Sequence, residues 1–319
     1  MEVLIDNRNG TVLDIPVTSI EWKTERIGKA GSFEGSLVLE EPTKYPINSG
    51  AVLRCMDGKQ KIFYGYVFES KYSKNSEVTV KAYDQLRYLN NNDTYVISAT
   101  TATKAIKRIS TDLGLKVGTF VNTGYVVPGI VEDDKSAFDV VCKYLDSTLI
   151  ATNQNFIIYD DFGSVVLRNV YDIAIPADDF YIGEDSLLFD FDYSKSIDKD
   201  TANRVKLVHD NKKTSKREVY IVQDSKNMAK WGRLQKFRKV DENMTDAQIR
   251  DLADKMIKLL NRETKTLDLE CLGNWRARAG RFVYVYLQKI DIKQYFLIEE
   301  CSHKWSEGVH TMSLKLKVI

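Results

Sequence analysis

Residues 280–319 read GRFVYVYLQKIDIKQYFLIEECSHKWSEGVHTMSLKLKVI, and they show the β-strand pattern against which the rest of the chain is compared. Apolar residues dominate or alternate in three runs, FVYVYL, YFLIEECS and HTMSLKLKV, and polar segments separate the runs. Alternation with a period of two between turns is typical of strands that bury one face. The stretch therefore predicts three consecutive β-strands.

The same pattern occurs earlier in the chain, after Gly50. That glycine is followed by VLRCM, a DGK turn, FYGYVFES, a KNSE turn and VTVKAYD. The distance from Gly50 to Tyr66 equals the distance from Gly280 to Phe296, so glycine and second strand keep the same spacing. The match predicts an internal duplication.

A second similarity lies upstream of each glycine. Residues 20–22 lead through a charged loop to the apolar run 33–39, and residues 205–207 lead through HDNKKTSKR to the run 219–222. The similar gaps predict the same long hairpin twice. We therefore predict an α+β fold that is mainly β, with two similar small β-barrel modules.

The chain between the two repeats has a different period. Apolar residues recur at helical spacing after Thr100 and again after Ser136, which forms a capping-box-like start with Asp139. A hairpin follows, with residues 157–159 expected opposite residues 165–167 across a DDFG turn. These patterns predict an inserted domain of two helices and a hairpin.

Three parts follow from these patterns. We predict a first β-barrel module at residues 1–96, an α+β insert at 97–172 and a second β-barrel module at 173–319. The second module is interrupted at about 223–263 by a basic loop and one further helix, whose apolar residues recur at helical spacing. That apolar stripe is Ile249, Leu252, Met256 and Leu259.

Composition excludes some classes of protein. The chain has 319 residues, 43% of them hydrophobic and 11% aromatic, which is enough to build cores. Its net charge of +1 gives no overall attraction to nucleic acid or anionic membranes. It has no run of about 18 apolar residues, and MEVLIDNRNG lacks the features of a signal peptide. We expect synthesis in a bacterial cytoplasm.

Charge is nevertheless distributed unevenly. Residues 172–200 hold nine acids and two lysines, whereas residues 204–239 hold twelve Lys or Arg and three acids. Because Trp231 and Phe237 lie among these cations, the basic stretch could bind nucleic acid, but a solvated loop or a surface that docks one subunit on the next also fits. The candidate interface residues are Lys230, Arg233, Lys236 and Arg238.

No catalytic motif is present in the sequence. It contains no P-loop, GxGxxG, GxSxG or HExxH motif. Three pairs of adjacent aspartates could act as a glycosidase acid and base, but such residues must face a cleft, and turn aspartates usually serve the backbone. The pairs are Asp133 with Asp134, Asp160 with Asp161, and Asp178 with Asp179. We predict that the protein is not an enzyme and has no cofactor.

The cysteines show no metal-binding spacing. Cys55, Cys142, Cys271 and Cys301 lie far apart without a CxxC motif, so we expect reduced core thiols. Cys271, Cys301 and His303 could converge on a metal, but structural zinc sites normally show four ligands in tight pairs. We predict no metal site.

Three stretches resemble a known family of phage proteins. They are VKAYDQLRYLNNNDTYVI at 80–97, FIIYDDFGSVVLRN at 156–169 and YFLIEECSHKWSEGVHTMSLKL at 295–316. The chain is similar to the baseplate hub protein of contractile tails of defective phages, the PBSX-type XkdQ-like family. It more distantly resembles the hub part of the valine-glycine repeat spike proteins of type VI secretion.

This resemblance implies a structural role without catalytic residues. It implies a homotrimer that adapts the six-fold tail tube to the three-fold spike and resides in the baseplate of a virion or phage-like particle. The implied partners are the tail tube or distal tube protein, the central spike and other baseplate proteins, including one that binds peptidoglycan. The alternatives are a polysaccharide-binding or peptidoglycan-degrading β-protein and a nucleic-acid-binding module.

Overall fold

The computed structural model describes residues 1–74, 76–198, 200–211, 216–240, 242 and 244–318. The fold is α+β and mainly β, as predicted. Ile319 and residues 212–215 of the predicted charged turn lie outside the described residues. By its contacts the chain divides into two compact units. Residues 1–146, 155–192 and 267–319 form the first unit, and residues 147–154 and 193–266 form the second.

Seven strands make up the N-terminal part of the first unit. Their alternating residues build a core that includes the fully buried side chains of Phe33, Leu37 and Leu53. The strands are β1 (Glu2–Asp6), β2 (Val12–Asp14), β3 (Val17–Glu25), β4 (Ser32–Val38), β5 (Val52–Asp57), β6 (Gln60–Tyr72) and β7 (Glu77–Tyr83).

The segment that follows contains both predicted helices. Ser136 and Asp139 cap each other's backbone N–H groups as expected, at 3.1 and 3.3 Å. The elements are a 3-10 helix (Gln85–Asn90), β8 (Asn92–Ile97), β9 (Thr100–Thr101), α1 (Ala102–Asp112), β10 (Val117–Phe120), β11 (Val126–Val127), β12 (Ile130–Ser136), α2 (Ala137–Thr152), β13 (Phe156–Asp160), β14 (Val165–Asn169) and a second 3-10 helix (Val170–Ile173).

The predicted hairpin register is wrong by one residue. Ile158 lies opposite Leu167, and Ile157 lies opposite Arg168. All five residues of β13 are buried, so this strand shows no period of two from which the register could be read.

The remaining elements divide between the two units. They are β15 (Tyr181–Gly183), β16 (Leu188–Ser196), β17 (Arg204–Asn211), β18 (Lys216–Gln223), α3 (Ser225–Trp231), β19 (Gln235–Lys239), α4 (Asp246–Leu260), β20 (Thr264–Leu272), β21 (Phe282–Leu287), a 3-10 helix (Gln288–Ile290), β22 (Ile292–Ser306) and β23 (Val309–Lys317). The predicted further helix is α4, which Thr245 caps.

The large sheet contains the same strand order twice. Its path is β16-β20-β23-β22-β3-β4-β7-β6-β5-β1-β2, with β21 paired to β22 and β15 to β21. The order β3-β4-β7-β6 therefore has a counterpart in β16-β20-β23-β22. Closure of either set into a barrel stays a prediction, as do the domain boundaries after residues 96 and 172.

The hairpin that we predicted upstream of Gly280 does form, but the prediction that it belongs to the second repeat is wrong. Val205 does pair with Val222 in a β17–β18 hairpin, but this hairpin belongs to a separate sheet of order β18-β17-β19 in the second unit. There it packs its apolar face with residues of α4, such as Ile249. The strand that occupies the counterpart position to β4 is β20.

Candidate assembly interface

The glycines that define the repeat occupy equivalent strand starts. Gly50 and Gly280 have φ angles of 81° and 89°, in the left-handed region that glycine adopts without strain. Gly50 N donates to the Val67 carbonyl at 2.7 Å, and Gly280 N donates to the Ile298 carbonyl at 2.8 Å. Each glycine therefore begins the hairpin that leads into the longest strand of its repeat.

Those two long strands also bend at equivalent positions. The register of β6 shifts between Val67 and Glu69, and the register of β22 shifts between Ile298 and Glu300. Such a shift is a β-bulge, which leaves one extra residue and turns the strand. The extra residues are Phe68 in β6 and Glu299 in β22.

An ion pair holds the bulge of β22 against β3. Arg26 Nε lies 2.8 Å from Glu299 Oε2, and the Arg26 backbone N–H donates to the Glu299 carbonyl at 2.9 Å. Beyond the bulge, β3 pairs with β22 from Glu300 to Ser306. The two repeats of the chain thus meet in continuous sheet.

Three of the four candidate interface residues lie on regular elements rather than in the polar loop that we expected. Lys230 lies in α3, Arg233 follows it, and Lys236 and Arg238 lie in β19. Because Phe237 is between the last two, period-two alternation directs it to the opposite face. Their role in docking stays a prediction.

The acidic block also spans several elements. It begins in the 3-10 helix at Asp172 and ends after β16, whose sequence LFDFDYSKS alternates aromatic and acidic residues. Asp179 pairs with Arg276 at 3.6 Å. Phe189 of β16 is 61% exposed, which is a large exposed fraction for a phenylalanine.

Of the three aspartate pairs, Asp178 and Asp179 lie in a turn as expected, whereas Asp133 and Asp134 lie in β12 and bind side chains of β8. Asp133 accepts from Thr94 Oγ1 at 2.5 Å and Asp134 from Asn92 Nδ2 at 3.0 Å, and all four residues are exposed. Asp178 and Asp179 are exposed as well. None of these four carboxylates is buried in a cleft of the kind that a glycosidase acid and base require.

Asp160 differs from the other candidates because it is buried beside Asp84, which the sequence did not single out. Burial raises the pKa of Asp84 well above its usual range, and the neighbouring Asp160 adds to that rise. Burial likewise raises the pKa of Asp160. Both residues line a cavity of about 530 Å³ in the first unit, with Trp22, Trp275 and Arg278 among its other walls.

These two carboxyl groups are held by backbone donors. Gly31 N donates to Asp84 Oδ2 at 2.8 Å, and Gly163 N donates to Asp160 Oδ1 at 2.6 Å. Gln85 Nε2 donates to Asp160 Oδ2 at 2.7 Å. These hydrogen bonds hold together loops from distant parts of the first unit, so we interpret Asp84 and Asp160 as structural residues.

The cysteine and histidine candidates come together only in part. Cys301 Sγ lies 3.2 Å from His303 Nε2, and His303 Nδ1 lies 3.0 Å from His310 Nε2. Cys271 instead contacts the Met312 carbonyl, at 3.7 Å. Within the part of the chain that the structure describes, no group of three or more such side chains is arranged to hold a metal.

The two histidines are built into an aromatic stack. His303 lies against Trp22 with ring centroids 5.1 Å apart, and His310 stacks on Trp275 at 3.7 Å. Burial lowers the pKa of His303 to about 3 and that of His310 to about 4. Both rings are therefore neutral packing residues at pH 7.

Among the described helices, none combines the length and apolar character needed to span a membrane.

The doubled strand set with its inserted helical segment is a fold of phage tail proteins. Over 99% of this chain and 98% of the other, it matches the 43 kDa tail protein of prophage MuSo2 from Shewanella oneidensis, with a TM-score of 0.71 and 14% identity. It also matches the E. coli c3393 protein, a component of the type VI secretion system, with a TM-score of 0.63 and 8% identity over 99% and 76% of the two chains.

The chain belongs to the YqbQ-like family, whose model matches residues 20–317. It is 29% identical to YqbQ of Bacillus subtilis (strain 168), over 95% of this chain and 92% of that protein. It is 27% identical to XkdQ of the phage-like element PBSX from the same organism, over the same shares of the two chains. The resemblance expected from the sequence is confirmed.

Proposed function

We propose that the chain is the structural hub of a contractile-tail baseplate, which adapts a six-fold tail tube to a three-fold spike. The strand order that occurs twice in the large sheet carries this proposal. Three copies of such a chain present six similar strand sets, so a trimer meets a six-fold ring without a symmetry mismatch. The names of the similar tail proteins support it.

The proposed partners are a second and third copy of this chain, the tail tube or distal tube protein, the central spike and other baseplate proteins. The test is the mass of the purified chain in solution, alone and mixed with the tube and spike proteins of the same particle. We expect three copies in the complex with the spike. A different copy number, or no association with either protein, would contradict the proposal.

We further propose that the protein has no lytic activity of its own. The buried Asp84 and Asp160 carboxyl groups are occupied by backbone and side-chain donors, whereas a glycosidase needs an acid and a base free to reach the substrate. The purified chain should leave peptidoglycan intact in a zymogram. A clearing band that is lost in Asp160→Asn would show that the cavity is an active site.

A further inference from the structure

A row of aromatic side chains lies on the face of the first repeat that points away from its core. The ring centroids of Tyr64 and Tyr66 are 6.3 Å apart, and that of Tyr66 is 5.8 Å from Tyr88. Phe68 continues the row, 6.2 Å from Tyr88 and 5.3 Å from Tyr83. Phe68 is 41% exposed and the other four rings are half-buried. We call these five side chains the aromatic face.

Cations line the aromatic face. The distances from the charged group to the nearest ring centroid are 4.9 Å for Arg8, 6.0 Å for Arg54, 5.7 Å for Lys81 and 5.7 Å for Arg87. Among the described residues, only Arg54 of these four has a carboxylate partner, Asp6 at 3.8 Å. Tyrosine, phenylalanine and arginine are the residue types enriched at the centre of protein interfaces. The aromatic face therefore has the composition of a docking surface with a positive charge.

The second repeat shows what covers the corresponding face there. The pair Phe282 and Leu297 corresponds to Val52 and Tyr66, because each pair lies at the same place between the repeat glycine and the bulge. Phe282 and Leu297 pack in one cluster with Ile157 of the β13–β14 hairpin, and Leu297 is completely buried. Tyr66, at the position of Leu297, is only half-buried.

The two repeat glycines show the same difference. A Cβ on Gly280 would collide with Ile157, whereas a Cβ on Gly50 would meet no atom within 4 Å. The hairpin therefore covers this place in the second repeat, and nothing in the described part of the chain covers it in the first.

We propose that the aromatic face binds an acidic, apolar segment of a different baseplate protein, which covers the first repeat as the β13–β14 hairpin covers the second. The proposal rests on the proposed hub function and adds the chemistry of one partner. The rings bind apolar side chains of the segment, and the cations bind its carboxylates. The occupant is a different protein because each copy of this chain already uses its hairpin to cover its own second repeat.

The geometry of the rings favours a protein segment over a nucleic acid. Bases bind by stacking on flat, open ring faces. The ring planes of Tyr64 and Tyr66 meet at 86°, and those of Phe68 and Tyr83 meet at 87°, so in each pair one ring points its edge at its neighbour. Apolar side chains can pack between rings set at such angles, whereas a row of stacked bases cannot.

A photo-cross-linker in the aromatic face tests the identity of the occupant. Tyr66→p-benzoylphenylalanine keeps an aromatic side chain at this position, and illumination of assembled tail particles should join the chain to a different baseplate protein. Mass spectrometry should place the link in a segment that carries Asp or Glu beside apolar residues. The control is the same substitution at Val131, which is 74% exposed on β12 and should not link to that segment.

Several results of this experiment would overturn the inference. They are a link to a second copy of this chain, a link to nucleic acid, a link to a segment without acidic residues, and no link in particles that contain the variant. Absence of the wild-type chain from particles would instead contradict the proposed function.

A charge reversal tests the electrostatic part of the proposal. Arg87→Glu places a carboxylate beside Phe68, so particles that contain this variant should hold about tenfold less of the cross-linked partner. Arg87→Lys keeps the charge and should retain the partner to within about threefold. Arg108→Glu, at an α1 side chain that is 65% exposed, is the matched control and should change nothing. Wild-type partner content with Arg87→Glu, or an equal loss with Arg108→Glu, would overturn the inference.

Discussion

Arg26 and Glu299 are 273 residues apart in the chain and form a 2.8 Å ion pair in the first unit. Their side chains are only 13% and 25% exposed, so water screens the pair weakly. The same two residues also share a backbone hydrogen bond. The end of β3 is thereby fixed to the bulge of β22, and with it the first repeat to the second.

This geometry predicts a measurable coupling energy. Arg26→Met or Glu299→Met should each cost about 2 kcal/mol of stability, because each leaves a poorly solvated charge without its partner. The double variant should cost clearly less than the sum, with a coupling of about 1 kcal/mol or more. Denaturant unfolding of the four proteins measures it.

The exposed pair Lys44 and Glu41, with side chains 62% and 58% exposed, serves as the comparison. Its coupling should not exceed about 0.5 kcal/mol. Equal coupling in the two pairs would show that burial does not strengthen the Arg26–Glu299 contact.

The two repeat glycines should differ in their sensitivity to substitution. Gly50→Ala should cost about 1 kcal/mol, because a Cβ there meets no atom within 4 Å and only the positive φ is strained. Gly280→Ala should cost more, about 2–4 kcal/mol, since its Cβ also collides with the buried Ile157 side chain. Urea midpoints decide the order, and an equal loss would mean that Ile157 moves aside freely.

The histidine stack predicts a loss of stability in acid. The folded-state pKa values of His303 and His310 are lowered to about 3 and about 4 from an ordinary value of 6.5. Below about pH 6.5 the unfolded chain therefore binds protons at these positions that the folded chain does not bind, and stability falls towards about pH 4. His310→Gln should flatten this slope in a series of unfolding measurements. An unchanged slope would mean that other groups cause the acid sensitivity.

For Asp84 we expect stability to change with pH in the opposite direction. Its folded-state pKa is raised, so its contribution to stability is complete below its usual value near 4 and is lost as pH rises through the folded value. Asp84→Asn cannot ionise, so it should lose less stability than wild type as the pH rises above about 4. Asp133→Asn, at an exposed position of β12, serves as the comparison variant. Parallel slopes for all three proteins would contradict a buried ionisable carboxyl.

The basic stretch of the second unit remains a candidate docking surface. Glutamate at Lys230, Arg233, Lys236 and Arg238 should weaken sedimentation with the tube and spike proteins at low salt and leave the isolated fold intact, since these side chains lie outside the buried core. The effect should shrink at high salt. Wild-type assembly that shows no salt dependence would indicate a merely solvated surface.

Much of the fold could be predicted because its signals are local. The spacing after Gly50 and Gly280 identified the repeated hairpin, and the Ser136–Asp139 cap located the start of α2. The place of β20 could not be found in the same way. A hairpin in the second unit, β17–β18, shows nearly the spacing of β3–β4, and only tertiary packing distinguishes a true counterpart from a chance one.

The two bulges and the Asp84–Asp160 pair could not be predicted from the sequence, for a related reason. Nothing in the residues around Phe68 or Glu299 marks a bulge, because a bulge is a relation between two paired strands. Asp84 lies within the stretch of sequence that resembles the family most clearly, yet Asp160, which adds to the rise of its pKa, comes 76 positions later. Such long-range pairs leave no periodic trace in a single sequence.

The pairing of β3 with β22 has a consequence for biosynthesis. A strand that begins at Val17 has β4 as a partner early, but its other edge is covered only by residues 300–306. The ribosome must therefore complete nearly the whole chain before that edge can close, and pairings this distant form slowly. Until then the unpaired edge of β3 can pair with other chains. We therefore expect the yield of folded protein to depend on chaperones that shield the emerging N-terminal segment.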